Sequence, residues 1–163
     1  MKAELINPFI RSTNELFTTM LGTQVRRDSV GVSQNGVTNH GVIALIGFSG
    51  AVLGTMALVF PIQTAIAMTT ALLGETKTSF DGDVADSMAE IANMIGGGAK
   101  SDFTKPDGTL AVLGLPTVMS GSDSHVDYPS GALWVNVRFE SSLGPFSLHL
   151  TFPELQQSKG EPT

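Results

Sequence analysis

Four residues at helical spacing carry the side chains with the clearest chemical potential. Asp86, Glu90, Asn93 and Gly97 follow one another at intervals of four, three and four residues. In a helix these intervals place all four on one side, with the Glu90 carboxylate and the Asn93 amide about one turn apart. An acid beside an amide on an exposed surface can bind a cation and hold a water molecule at the same time.

The helix that would carry these residues is expected from about Asp83 onward. Val84, Met88, Ile91 and Ile95 fall within a narrow arc on its opposite side, so that side is expected to face the core. Acidic residues at the beginning of the segment suit the positive N-terminal end of a helix. The competing interpretation of the polar side is an ordinary solvated helix surface, which helical periodicity alone favours.

Length and composition predict a single domain. The chain has 163 residues, of which 42% are hydrophobic, which is enough for one compact core but short for two. Its 15 acidic and 9 basic side chains give a net charge of −6. The basic residues do not cluster, which argues against nucleic acid as a partner. The absence of cysteine excludes disulfides and thiolate metal sites and fits a cytoplasmic protein.

The N-terminal segment and one uncharged stretch bear on membrane association. Residues 1–14 lack the basic start, apolar run and cleavage site of a secretory signal. Residues 29–74 contain no Asp, Glu, Lys or Arg, and residues 41–60 would be long enough to cross a bilayer. The turn signal at residues 47–50 and the lack of a cationic flank favour two buried strands joined by a tight hairpin. A membrane-associated protein is the competing hypothesis.

Capping residues predict two further helices. The first is expected to begin with Asn7 as N-cap and Pro8 at the first helical position, and to end at Gly22. The second is expected over residues 62–73 and is ended by Gly74. Both would precede the helix that carries the polar residues.

The remaining pattern predicts a largely antiparallel sheet packed against these helices, an α+β fold. Seven strand segments are expected, at about residues 24–32, 39–46, 51–60, 110–113, 116–120, 133–139 and 146–152. The last two form a predicted hairpin, whose second strand alternates apolar and polar side chains. The domain is expected to span residues 1–153, followed by a polar tail over residues 154–163.

The complete spacing of the polar residues resembles the signature of the CheC, CheX and FliY phosphatase family. That signature is an Asp or Ser, then a Glu, an Asn and a distant Pro. Asp86, Glu90, Asn93 and Pro116 stand at the matching positions. The likeness in the order of predicted elements extends from near residue 5 to residue 152, which implies the CheC-like α/β sandwich.

The family also carries an internal pseudo-repeat of the motif helix. Alignment of residues 20–22 with residues 94–96 puts Ser12, Leu16 and Thr19 at the motif positions of the first copy. The first copy therefore lacks the acid and the amide. One site per chain resembles CheX rather than the two-site pattern of CheC.

The resemblance implies a phosphatase that acts on the aspartyl-phosphate of a CheY-like chemotaxis response regulator. It implies that Asn93 orients the attacking water and that Glu90 pairs with a lysine of the regulator. Asp86 and Gly97 are expected to contact the partner, and Pro116 is expected to shape the strand beneath the site.

The same resemblance bears on cofactors and assembly. The regulator would bring the Mg²⁺, so no cofactor of the chain's own is expected, and a homodimer formed through sheet edges is implied. The competing hypothesis is a non-catalytic binding or scaffold module of a chemosensory or flagellar assembly. Such members would be expected to lose the Glu and the Asn, and both are present here.

Three other patterns imitate functional sites. Residues 96–101 resemble a P-loop, but Ala99 replaces its last glycine and the run follows a helix, so a helix end or bend is predicted. Residues 122–125 combine Ser, Asp and His, but neighbours in a polar loop do not supply a buried, oriented base. The histidines at positions 40, 125 and 149 lack ligand spacing, which favours ordinary strand or surface positions over a metal site.

Overall fold

The computed structural model describes residues 3–39, 41–121, 124–126 and 132–153. The predicted tail, His40, and Ser122 and Asp123 lie outside the described residues. Helices occupy three segments, α1 (Ala3–Leu16), α2 (Ile62–Leu73) and α3 (Gly82–Lys100). The strands are β1 (Val25–Ser33), β2 (Val37–Asn39), β3 (Val42–Gly50), β4 (Gly54–Phe60), β5 (Ala111–Leu113), β6 (Thr117–Ser120), β7 (Ser124–Val126), β8 (Trp134–Ser141) and β9 (Phe146–Thr151).

Seven of these strands form one antiparallel sheet. Its order is β1-β8-β9-β4-β3, and the other side of β3 pairs with β5 and then with β6. The strands β2 and β7 form a separate two-stranded ribbon. The predicted α+β fold, with a largely antiparallel sheet against helices, is confirmed, as is the hairpin formed by β8 and β9.

The main core lies between the helices and one face of this sheet. Alternate strand residues such as Met56, Leu58 and Phe60 join the buried side of α3 in one cluster. The predicted core side of α3 is confirmed, since Val84, Met88, Ile91 and Ile95 are all fully buried. A smaller cluster on the other face lies against the ribbon and includes Ile43, Val59 and Trp134.

The uncharged stretch forms the middle of the sheet, so the prediction of two buried strands is confirmed. Every residue of β4 is buried. The predicted turn position is wrong, because residues 47–50 continue β3 and the chain reverses at residues 51–53. Phe48 is buried in the core and pairs with both Gly54 and Leu113, which extends the strand past its glycine. Among the helices that the structure describes, none is both long and apolar enough to cross a membrane.

The start predicted for the first helix is wrong. Helix α1 already includes Ala3, and Pro8 lies inside it. A proline there removes one backbone hydrogen bond. The preceding turn nevertheless stays helical because Leu5 and Ile6 are buried in the core. The predicted stop is confirmed, since Gly22 follows a π-helical turn with a left-handed φ of 66°.

The predicted helix end at the glycines 96–98 is wrong, because α3 continues to Lys100. Two of them allow close packing instead. A Cβ at Gly98 would overlap the Ser12 hydroxyl of α1, and one at Gly96 would come within 2.9 Å of the Leu113 side chain. Helix α2 has the predicted bounds and ends at Gly74 with a φ of 70°.

Candidate functional site

Helix α3 presents the four predicted residues along its outer side, which we call the motif ridge: Asp86, Glu90, Asn93 and Gly97. Asp86 and Glu90 are exposed, whereas Asn93 and Gly97 are partly exposed. Ideal helix geometry places the four residues within a sector of about 60°, with Glu90 and Asn93 about 4.5 Å apart along the axis. The fold therefore brings the predicted acid and amide onto one surface.

The polar groups of the motif ridge are not used in contacts among the described residues. Among the described residues, the side chains of Asp86, Glu90 and Asn93 have no hydrogen-bond or ion-pair partner. A side chain that stabilises its own fold would be expected to engage a neighbour. These three groups are available to a water molecule or to another protein.

The start of α3 is anchored by a local charge cluster. Asp81 caps the helix, its Oδ1 accepting from the Val84 amide at 3.1 Å. Lys77 Nζ lies 2.9 Å from Asp81 and 2.6 Å from Asp83. The hydrogen bond from Lys77 lowers the pKa of Asp81, and the two carboxylates raise the pKa of Lys77, with Asp83 the larger cause. The cap and the bridge tie the loop after α2 to the first turn of the motif helix.

The second half of α3 is anchored by α1. Ser12 is buried, and its Oγ donates to the Ile95 carbonyl at 2.8 Å. Arg11 reaches Asp102, just beyond α3, with an N–O distance of 2.8 Å. Asn93 therefore stands on a helix whose inner side is buried and whose two ends are both tied to neighbouring segments.

Exposed apolar side chains lie on both sides of the motif ridge. On the α2 side, a shallow groove is lined by Leu72, Leu73, Asp83, Asp86, Ser87 and Glu90. On the α1 side, a second depression includes Met20 and Met94. Leu73 is 48% exposed and Met20 is 51% exposed. A polar ridge between apolar flanks is suited to contact with a protein surface.

Pro116 lies beside α3 and not on the motif ridge. It is partly exposed and occupies the connection between β5 and β6, both of which pack against α3. Just before it, the Gly114 amide donates to the Gly47 carbonyl at 2.9 Å. Proline lacks an amide hydrogen and so fits the point where pairing with β3 passes from one short strand to the next.

Helix α1 offers no equivalent of the motif ridge. The residues aligned with the motif acids, Ser12 and Leu16, are buried at 3% and 4% exposure. Thr19, in the π-helical turn after α1, is exposed, but its hydroxyl donates to the Glu15 carbonyl. The acid and the amide that could act together are found on α3.

A second polar cluster lies on the far face of the sheet, and the sequence did not single it out as a site. His149 Nε2 lies 2.8 Å from Ser147 Oγ, and His149 Nδ1 lies 2.6 Å from Asn136 Oδ1. An amide oxygen accepts, so the imidazole proton is assigned to Nδ1 and Nε2 accepts from the serine. The alternation in β9 places Ser147 and His149 on one face, but only the strand register brings Asn136 beside His149.

We expect acidification to destabilise the protein through His149. Burial, and to a smaller extent the charge of Arg138, lower the pKa of His149 from 6.5 to about 4. Between these values the unfolded chain binds a proton that the folded chain excludes. The contribution of neutral His149 to the free energy of unfolding is therefore complete above pH 6.5 and is lost as the pH falls toward 4.

Urea unfolding at neutral pH and near pH 5 measures this effect. The loss of unfolding free energy should be about 1–2 kcal/mol larger in the wild type than in His149→Gln, which lacks the titrating group. An equal pH dependence in the two proteins would contradict the assignment.

The comparisons that match known proteins agree on one protein family. Residues 42–140, more than half of the chain, match the family model described as chemotaxis phosphatase CheX. A comparison with curated proteins finds no significant match. A CheC-like superfamily protein from Shewanella sp. PV-4 has a solved structure with a TM-score of 0.80 and 24% identity, and the match covers 93% of this chain and 99% of that one.

Two further solved structures share the fold. Chemotaxis protein CheX from Desulfovibrio desulfuricans is 25% identical, with a TM-score of 0.79 and coverage of 91% of this chain and 99% of that one. The CheX–CheY–BeF₃–Mg²⁺ complex from Borrelia burgdorferi contains a chain that is 21% identical, with a TM-score of 0.71 and coverage of 90% and 96%.

Proposed function

Since the chain belongs to the chemotaxis phosphatase CheX family, we propose that it dephosphorylates the aspartyl-phosphate of a CheY-like response regulator. The observation that carries the proposal is the motif ridge. An acid and an amide stand one turn apart on an anchored helix, and neither has a partner among the described residues. A CheX homologue of the same fold has been solved in complex with CheY, BeF₃ and Mg²⁺.

In the proposed reaction Asn93 positions the attacking water. Its amide oxygen would accept a hydrogen bond from the water, while its NH₂ group could donate to a phosphoryl oxygen. The water oxygen attacks phosphorus in line with the aspartyl oxygen, whose bond to phosphorus breaks, leaving the carboxylate and inorganic phosphate. Such a step requires positioning and charge stabilisation rather than a covalent intermediate on this chain.

Glu90 would set the position of the docked regulator. One turn from Asn93, its carboxylate can pair with a lysine of the regulator and so fix the distance between the amide and the phosphoryl group. Asp86 and Gly97 extend the same surface, where a glycine permits close approach of a partner. The Mg²⁺ of the reaction is assigned to the regulator, and Pro116 is assigned a shaping role under α3.

Glu90→Gln is expected to weaken binding of the activated regulator by about tenfold, since one charged hydrogen bond contributes roughly 1–2 kcal/mol. The turnover of the bound complex should fall less, because Asn93 remains in place. Titration of a BeF₃-activated regulator, repeated at high salt, measures the change. Glu4→Gln, an exposed acid on α1, is the matched control and should bind as the wild type does; an equal loss in both variants would contradict the role of Glu90.

We also propose that the chain forms a homodimer through the edge of its sheet. Strand β1 is outermost in the sheet order, and Val30 and Val32 are 37% and 55% exposed on it. An exposed strand edge with apolar side chains is a template for pairing with a second copy. Val32→Lys, which places a charge on that exposed strand, should shift the protein to monomer in light scattering; an unchanged mass would exclude this edge as the interface.

A scaffold without catalysis is the alternative function. It predicts that regulator binding survives while phosphate release stays at the rate of the regulator alone. The motif ridge favours the enzyme because a scaffold would have no need for an aligned acid and amide that are unpaired among the described residues. Timing phosphate loss from a phosphorylated regulator with and without the protein separates the two.

A further inference from the structure

A cavity of about 350 Å³ opens on the face of the sheet opposite the motif helix. Most of its polar lining comes from alternate residues of β8 and β9, whose intervening side chains face the core. Val59, Pro61 and Pro145 add apolar walls. The volume is in the range that small-molecule sites occupy, and nothing in the proposed phosphatase mechanism uses this space.

The floor of the cavity is a pre-ordered hydrogen-bond array. The Ser147 hydroxyl donates to His149, and His149 donates to the Asn136 oxygen. These bonds occupy the serine proton and the amide oxygen, so the groups left for a ligand are the serine lone pairs and the Asn136 NH₂ group. All three residues lie on paired strands of a continuous sheet, so a ligand would meet them already oriented.

Ser147, His149 and Asn136 are connected in the order of a nucleophilic triad, but the histidine is a weaker base than a triad requires. A general base is effective when its pKa lies near the working pH. The pKa of His149 is lowered to about 4, which leaves it a weak acceptor for the Ser147 proton. The arrangement therefore suits recognition of a ligand better than activation of the serine.

The charged residues that line the cavity have opposite signs. Arg138 lines it from β8, and Asp28 and Glu140 line it from β1 and β8. Among the described residues, no ion pair joins Arg138 to either acid. The ion pair found for Asp28 is a long one, 3.9 Å from Arg26. A guanidinium and two carboxylates thus line one space, with Arg26 opposite Glu140 in the strand register.

We propose that this cavity binds a small zwitterion of the amino-acid class. The ligand carboxylate is held by the Arg138 guanidinium and the Asn136 NH₂ group, and its ammonium is held toward Asp28 and Glu140. A simple anion would meet two carboxylates, and a simple cation would meet the guanidinium. Only a ligand that carries both charges satisfies the lining, and the Ser147 oxygen can accept from its ammonium.

The test compares a zwitterion with one ligand that carries only the carboxylate and one that carries only the ammonium group. L-alanine, propionate and ethylammonium chloride are titrated separately while the imidazole carbon-bound proton signals of His149 are followed by NMR. His149→Gln identifies those signals. L-alanine should shift them saturably at millimolar concentration, and each of the other two ligands should bind at least about tenfold more weakly. No saturable shift with L-alanine, or an equal shift with propionate, overturns the proposal.

Substitutions of Arg138 test its contact with the ligand carboxylate. Arg138→Gln should abolish the L-alanine shift, whereas Arg138→Lys should keep weakened binding because it retains the charge without the forked donors. Lys105→Gln, which removes one positive charge from an exposed loop, is the matched control and should bind normally. Retained binding in Arg138→Gln overturns the proposal. A melting curve shows that each variant is folded, and no regulator is present, so the result is independent of the phosphatase proposal.

Discussion

Asn93→Ala is expected to reduce the accelerated dephosphorylation by about 10²–10³-fold while the regulator still binds, because the lost amide positions the water and not the partner. Docking would be carried by Glu90 and by the apolar flanks of the motif ridge, which this change leaves in place. The two effects should therefore separate, with phosphate release falling to the rate of the regulator alone and affinity changing little.

Two measurements on one preparation test this separation. Stopped-flow phosphate release from the phosphorylated regulator reports the chemical step, and titration with the BeF₃-activated regulator reports binding. Asn93→Gln adds one methylene and moves the amide, so it should recover little activity even though the functional group is kept. Asn14→Ala removes an exposed amide that donates to the Ile10 carbonyl within α1, and it should leave both readouts unchanged.

The outcome distinguishes the proposals clearly. Full activity in Asn93→Ala would remove the motif ridge as the catalytic surface. Loss of binding together with activity would make Asn93 a docking residue and would contradict its role in positioning the water. Loss of activity with binding retained is the result that the proposed mechanism requires.

Gly98→Val is expected to lower the free energy of unfolding by about 3 kcal/mol, because two helices touch at this residue and overpacking a close contact is costly. A Cβ at Gly98 would overlap Ser12 Oγ and would lie 3.1 Å from Ser12 Cβ. Ser12 cannot turn away freely, since its hydroxyl donates to the Ile95 carbonyl at 2.8 Å in a buried position. The strain would fall on the contact that anchors the second half of the motif helix.

The adjacent glycine supplies the control. A Cβ at Gly97 would have no atom within 4 Å, so Gly97→Val should change stability by no more than about 0.5 kcal/mol. Urea unfolding of the two variants compares the same substitution one residue apart. Ser12→Gly should recover part of the loss in Gly98→Val, because it removes the two side-chain atoms that lie nearest to a Cβ at position 98. Equal stability of the two valine variants would contradict the packing argument.

The sequence predicted the parts of the fold that depend on neighbours along the chain. The bounds of α2 and the buried side of α3 follow from capping residues and a 3.6-residue period, and both were confirmed. The alternation in β9 correctly marked one buried face. The same local reasoning placed Glu90 and Asn93 together, because residues three apart in a helix are always neighbours.

Errors arose where distant contacts outweigh a local signal. Pro8 suggests a helix start, yet the burial of Leu5 and Ile6 extends α1 before it. Gly47 suggests a turn, yet the pairing of Phe48 with two strands continues β3. In each case the favourable burial of apolar side chains exceeded a preference of the backbone.

The motif ridge could be predicted from the amino-acid sequence, since a single helix supplies all of its spacing. The contact of Gly98 with α1, the contact of Asn136 with His149 and the cavity shared by Arg138 and Asp28 could not. These pairs are far apart in the chain or lie on different strands. Register and helix crossing come from the packing of the whole core, which no local pattern encodes.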